Sequence, residues 1–509
     1  MNIILVLIDS LNRSGLSCYD PDKGDTPYLD TFAQSSLLFE NAFVGSLPCM
    51  PARRDIFTGR KELLWRPWGP IEPGDPRLPR LLQQQGYSTG IVTDHYHYWE
   101  EHGNGYIQSF QSSELIRGNE VDAWRPVKPD KEVPRWVRAM ERWRPEWARQ
   151  YFANVEEFRD EEDFFTAKVF TAGMKWLSQF ARDCKPFFLQ VECFDPHEPF
   201  HVPEPYRSMA REHGDDVYTI WPPYQNSHLA AEFMASTTEE ELSHIRDRYR
   251  AKVRMVDRWF GRFMASVERL GLAGETIVIV TTDHGHELGD RGAFGKSDPH
   301  YDYHANIPLL IRHPEGPVGE RTPALVSAVD LFATVLDAAG SPYPEHDARG
   351  HSSSFLPVVH EPSRPHRSAT LYGTYGQGLA ATDGTWTLLK APAQEGPLYS
   401  YSSMIFSSMM VSQINPPDDS GHFIPGCALP QWKTPVRDRG HACMNATPRG
   451  LVGQKVGDLL FHRTKDPAQL NNRWADAVEE RNRMLALMRS LMAAEGAPPE
   501  QYERLGLKA

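Results

Sequence analysis

Asp9 and Asp283 each close a run of β-branched and apolar residues, Asn2 to Ile8 and Thr276 to Thr281, and His284 follows the second acid directly. Neither run alternates, as in parallel strands buried on both faces. In an open parallel sheet, ligands gather at the carboxyl ends of the strands, where loops and helix amino ends converge. Two carboxylates and an imidazole there supply hard oxygen and nitrogen donors to a divalent cation such as Ca²⁺, Mn²⁺ or Mg²⁺. Capping of the next turn is the ordinary alternative for either acid alone. The pair together favours a metal.

A third element is Leu47-Pro48-Cys49-Met50-Pro51-Ala52-Arg53-Arg54, running to Thr58-Gly59-Arg60. Pro51 suits the first turn of a helix, which places Cys49 at an amino end where the dipole and free N–H groups favour negative charge. Arg53 and Arg54 add to that field. An isolated cysteine is commonly a small buried hydrophobe, but one held between prolines at a positive helix start reads as reactive.

These residues need a scaffold, and the sequence around them has its rhythm. A helical LPRLLQQQG precedes the strand-like Gly90 to Thr93, and FTAKVFTAGMKWLSQFARD precedes Pro186 to Glu192. Ile307 to Ile311 and a helical DLFATVLDAAG from Asp330 continue the alternation. This order predicts an α/β fold, a large and mostly parallel sheet flanked by helices over residues 1–370. Residues 371–509 read as a smaller antiparallel α+β subdomain, with strands at Ala369 to Tyr375 and Thr385 to Lys390 and an amphipathic helix over Asn471 to Glu495. Within it, residues 392–450 form a long excursion or lid, rich in Ser, Pro, Met and Gly. Val133 to Phe152 reads as a Trp- and Arg-rich helical insertion.

Composition excludes other classes. With 40% hydrophobic and 24% charged residues over 509 positions, disorder, a collagen-like fibre and a small stapled scaffold are ruled out. A formal charge of −13 disfavours nucleic acid and anionic membranes as partners, so an anionic substrate must meet a local basic pocket. Six cysteines without paired short spacings read as reduced thiols. The run Ile3 to Ile8 is too short for a signal peptide or a spanning helix, so the expectation is a cytoplasmic enzyme, with a homo-oligomer left open.

Cys49-x-Pro51-x-Arg53 followed by Thr58-Gly59 resembles the signature of the formylglycine-dependent sulfatases of the alkaline phosphatase superfamily. Further segments stand in that family's order: Leu7-Ile8-Asp9, Asp195-Pro196-His197-Glu198-Pro199-Phe200, and Thr281 to Gly285 through Leu288-Gly289-Asp290 to Gly295-Lys296. Asp458 to Phe461, with Thr464 to Pro467 and Asn471-Asn472, is similar to its C-terminal strand and turn. The resemblance implies an alkaline phosphatase-like mixed sheet. It implies that a formylglycine-generating enzyme oxidises Cys49, giving an aldehyde hydrate with one hydroxyl to attack sulfur and another to expel sulfate. It also implies a Ca²⁺ or Mn²⁺ ion held by Asp9, Cys49, Asp283 and His284. Arg53 would orient the attacking hydroxyl, while His197 and Lys296 would contact sulfate and either would protonate the leaving oxygen.

Three departures bear on the substrate. Ser10 follows Asp9 where many sulfatases carry a second acid, and His284 stands where many have Asn. Both features are more like the phosphonate monoester hydrolase branch, so a phosphonate monoester or phosphodiester stands as the alternative to a small-molecule sulfate ester. In Thr93-Asp94-His95-Tyr96-His97, either His95 or His97 aligns with a family contact to the sulfate. An unmodified-Cys phosphatase and a catalytically silent binding protein are the readings outside this chemistry.

Overall fold

The structure, a computed structural model, describes all residues except 100–104, 210–216, 225–228, 293, 297, 342–350, 394–395, 405–417, 426, 437–455 and 508–509. An eight-stranded sheet runs in the order Glu320–Ser327, Leu37–Phe43, Leu309–Arg312, Thr276–Thr281, Asn2–Ile8, Phe187–Cys193, Ser88–Thr93, Ser112–Leu115. Within it Leu309–Arg312 alone is antiparallel to its neighbours, so the sheet is mixed and mostly parallel. The first strand is central because all seven of its residues are buried and it can pack on both faces. Ile4, Val6 and Ile8 enter one core with the helices Phe165–Phe180 and Glu239–Arg269. Ile3, Leu5 and Leu7 enter the other with Cys49–Thr58 and Asp330–Ala338. Alternate residues of a strand point to opposite faces, so one apolar run serves both layers.

The predicted strands at 90–93, 186–192 and 307–311 form at Ser88–Thr93, Phe187–Cys193 and Leu309–Arg312. Residues 133–152 form two helices, Arg135–Glu141 and Pro145–Val155, because proline disfavours helical geometry in the residue before it and the break falls there. The C-terminal helix spans Val478–Ala494, shorter than the sequence pattern, and buries Met484, Met488 and Met492 at four-residue spacing.

A second sheet has the order Leu459–His462, Trp386–Lys390, Leu379–Thr382, Thr370–Thr374, Ser46–Leu47. Its last member, parallel to Thr370–Thr374, is the short strand that leads into the helix of Cys49. Of the excursion, the described part forms a three-stranded antiparallel sheet of Tyr399–Ser402, Gln431–Pro435 and Asp419–Gly421. Much of the rest of 392–450 lies outside the described residues. The cysteines at 18, 49, 184, 193 and 427 are free, and among the described residues no helix is long and apolar enough to cross a membrane.

The helix Cys49–Thr58 ends at Gly59, whose φ of 72° lies in the left-handed region that favours glycine. A Cβ there would stand 2.5 Å from Phe332 Cδ1. Gly59→Ala therefore combines a backbone penalty with overpacking, and urea denaturation should show a loss of about 1–3 kcal/mol.

Candidate active site

Strand register brings the acids together. Leu7 pairs with Thr281 on one side and with Glu192 on the other, and Asp9 N donates to Cys193 O at 2.8 Å, so the ladder continues past the strand end. Asp9 and Asp283 thus emerge side by side. Ser10 follows at φ 58°, a strained backbone for a residue with a side chain. Its N–H donates to Asp283 Oδ1 at 3.1 Å and its hydroxyl to Asp9 Oδ1 at 2.7 Å.

Arg53 reaches these strand ends from the second turn of its helix. Nη2 donates to Asp9 Oδ2 at 2.8 Å, Nη1 to Asp283 Oδ2 at 2.5 Å and Nε to Glu192 Oε1 at 2.6 Å, all fully buried. Nη1 also bonds the Cys49 carbonyl at 3.0 Å. Burial alone would raise Asp9; the guanidinium overrides it and holds the carboxyl well below the usual carboxylate range. At Glu192 burial wins and the carboxyl is raised.

Glu192 was not singled out from the sequence. It also accepts from Tyr98 Oη at 2.9 Å and Gln190 Nε2 at 2.8 Å. The signal was present, because the run Pro186 to Glu192 ends in an acid just as the other two central strands do.

Cys49 is the first residue of its helix, at the amino end that Pro51 predicts. One donor atom from each of Asp9, Cys49, Asp283 and His284 lies within 4.8 Å of the others, and all four residues are buried. His284 Nδ1 stands 2.9 Å from the Gly285 carbonyl, which places the proton on Nδ1 and leaves Nε2 as an acceptor, 3.1 Å from Cys49 Sγ. Two carboxylates and an imidazole with a fixed lone pair fit a hard or borderline divalent cation. The helix start does not make Cys49 a thiolate here. Burial, then the Asp9 carboxylate, pushes the thiol well above its usual value.

Lys296 stands 3.6 Å from Cys49 Sγ and 3.4 Å from Ser10 Oγ, and also contacts His197 Nε2. Burial works against its charge, but the carboxylates of Glu198, Asp9 and Glu120 pull the other way and keep the amine an ammonium. His197 Nδ1 faces the Glu198 carbonyl at 2.8 Å, and burial pushes the imidazole down, so it is neutral and Nε2 accepts from Lys296.

Both candidate histidines arrive, at different places. His95 Nε2 is 3.4 Å from Asp9 Oδ2, and the ring packs on Tyr98 and Phe194. His97 Nε2 is 3.8 Å from Glu120 Oε2, beside the edge of Trp68. His95 thus borders the donor cluster and His97 the side of His197. Glu120 was not foreseen from the sequence.

Arg53→Ala would leave three buried carboxylates facing one another. Removing one partner of a buried ion pair costs about 3–5 kcal/mol, so urea denaturation of the metal-free protein should show at least that loss at pH 7. The depressed Asp9 group gives wild-type stability that is present above the unfolded-state pKa and lost as pH falls. The variant lacks that contribution, so the gap between the two proteins should narrow as the pH falls below about 4, into the depressed range of Asp9.

A family model described as Sulfatase matches residues 1–341. Arylsulfatase K of Xenopus laevis is 25% identical over 377 residues, covering 68% of this chain and 64% of that protein. Iduronate 2-sulfatase of Mus musculus is 24% identical, covering 68% and 69%. The phosphonate monoester hydrolase structure of Agrobacterium radiobacter superposes with a TM-score of 0.65 at 18% identity, covering 97% of this chain and 96% of that one. The model match spans more than half of the chain and includes every residue of the cluster around Cys49, and the chain belongs to the sulfatase family.

Proposed function

We propose that the chain hydrolyses the sulfate ester of a small molecule, using a formylglycine made from Cys49 and one divalent cation, Ca²⁺ or Mn²⁺. Asp9, Asp283, His284 and the side chain at 49 would hold the cation. The observation that carries this reading is the convergence on one side chain of a cation's donors and of the Lys296–His197 pair. The bound cation would polarise the sulfate oxygens and lower the pKa of the attacking hydroxyl. The hydrated aldehyde at 49 would supply one hydroxyl for attack on sulfur and a second to expel sulfate.

This chain's own groups do the rest. Arg53 holds the residue 49 backbone through its carbonyl and balances the charge of Asp9 and Asp283. The Lys296 ammonium faces the anion. Because His197 is neutral and accepts from Lys296, the proton for the leaving oxygen is held at Lys296 Nζ, with His197 aiming it. The raised thiol of Cys49 speaks against the unmodified-cysteine reading.

A second reading keeps the machinery and changes the ester to a phosphonate monoester or phosphodiester. Ser10 favours it, since its hydroxyl donates to Asp9 where a second acid would give the cation another carboxylate. The fold neighbour named a phosphonate monoester hydrolase is consistent with it.

Chelation should abolish turnover without unfolding, and Ca²⁺ or Mn²⁺ should restore it, because the donors sit on strands buried independently of the ion. Activity that survives chelation would exclude the cation. Lys296→Ala and His197→Ala should each lower kcat by about 10²–10⁴-fold on 4-nitrophenyl sulfate. In protein made with a formylglycine-generating enzyme, the tryptic peptide from Gly24 to Arg53 should carry an aldehyde that reacts with hydrazide. Cys49→Ala should lose both label and activity, and an intact thiol in fully active enzyme would refute the conversion.

A further inference from the structure

Two acids that help to keep Lys296 charged also border the anion pocket. Glu198 Oε2 and Glu120 Oε1 each stand 3.4 Å from His197 Nδ1, and their residues are 1% and 4% exposed. Glu198 Oε2 also lies 2.9 Å from His286 Nε2. Glu120 Oε1 accepts from Tyr224 Oη at 3.2 Å.

The placement of Glu120 is built. Its backbone sits at φ 43°, in the left-handed region, within a loop pinned by four hydrogen bonds. Asn119 Nδ2 donates to Asp94 Oδ2 at 2.8 Å, Gly118 N to Asp122 Oδ2 at 2.7 Å, and Asn154 Nδ2 to the carbonyls of Gly118 and Asp122.

The groups facing these acids are His97, His197, His286, Tyr224, Lys296 and, behind Tyr224, Arg144. Arg53 is already matched by Asp9, Asp283 and Glu192, so the positive charge that meets an incoming anion next to this pair is Lys296. A sulfate monoester carries one negative charge, whereas a phosphate monoester of nearly the same shape carries close to two at neutral pH. Shape cannot separate them, but fixed negative charge can.

We propose that Glu120 and Glu198 are specificity-determining residues that confine the anion pocket to singly charged esters and reject doubly charged ones. The inference rests on the reading that Lys296 and His197 bind the ester's anion. It admits sulfate monoesters, phosphodiesters and phosphonate monoesters alike, and excludes phosphate monoesters. The inorganic sulfate released carries one more charge than the ester, so the same pair disfavours retention of product.

The test compares wild type, Glu120→Gln, Glu198→Gln and the double variant as metal-loaded enzyme with the aldehyde at 49. Assays run at pH 8, where Glu120, pushed by burial up to about 7, is ionised. Substrates are 4-nitrophenyl sulfate and 4-nitrophenyl phosphate, with inorganic sulfate as inhibitor. Removing one charge a few ångströms from a partly screened pocket should raise the phosphate-to-sulfate ratio of kcat/KM by about 10- to 100-fold. The double variant should rise further, and inorganic sulfate should inhibit each variant about 10-fold or more strongly than wild type. Tyr224→Phe, which removes no charge, should leave the ratio where it is. An unchanged ratio together with unchanged sulfate inhibition in folded Glu120→Gln overturns the proposal, and that variant carries the test alone if Glu198→Gln does not fold. Failure of the underlying reading looks different: wild type would neither turn over 4-nitrophenyl sulfate nor be inhibited by inorganic sulfate.

Discussion

A buried guanidinium between three carboxylates is the interaction on which the centre of this molecule depends. Asp9, Glu192 and Asp283 lie at the carboxyl ends of three adjacent central strands, and a dry site cannot hold three such charges without compensation. Arg53 supplies it with Nε, Nη1 and Nη2 in the planar fork that only arginine offers. Because Nη1 also holds the Cys49 carbonyl, the ion cluster fixes the amino end of the helix over the strand ends. A Lys in its place would keep one charge but lose the simultaneous grip on three strands and a helix.

That helix is itself held at both ends. Asp55 accepts from the Ser46 N–H at 2.6 Å and hydroxyl at 2.8 Å, which ties the helix to the strand that enters it. Ser46–Leu47 is an edge strand of the second sheet, so the C-terminal strands reach to within two residues of Cys49. Arg54 of the helix joins Glu62, Arg66, Glu72 and Asp75 beyond it in a buried network. Glu72 accepts from the Ser402 hydroxyl and from Ser403 N at 2.6 Å each, which fastens the described part of the excursion to the segment that follows the helix.

Charge is arranged unevenly around Cys49. Its immediate surroundings hold carboxylates that a divalent cation would satisfy, and the next group out is the Lys296 ammonium against a neutral His197. Acids appear again beyond His197, as Glu120 and Glu198. A chain of net charge −13 thus places this ammonium in one short interval, bounded by negative charge on both sides.

The signals legible in the sequence were local. Unbroken apolar runs ending in Asp9 and Asp283 announced buried parallel strands, and Cys49-x-Pro51-x-Arg53 announced a helix start with Cys49 at its amino end, because burial and helix geometry leave periodic marks on neighbouring residues. Glu192 bore the same strand-end mark and went unread, since an acid there gains meaning only when Arg53, 139 positions away, is known to touch it. Whether His95 or His97 meets the donor cluster, how Glu120 turns inward at φ 43°, and that Ser46–Leu47 completes a sheet begun near residue 370 depend on pairings across the fold. The strand ends, the helix start and the family resemblance can be read from neighbouring residues alone. Which charges share one dry volume is set by the fold, because electrostatic energy depends on separation in space and strand register sets that separation without leaving a local pattern.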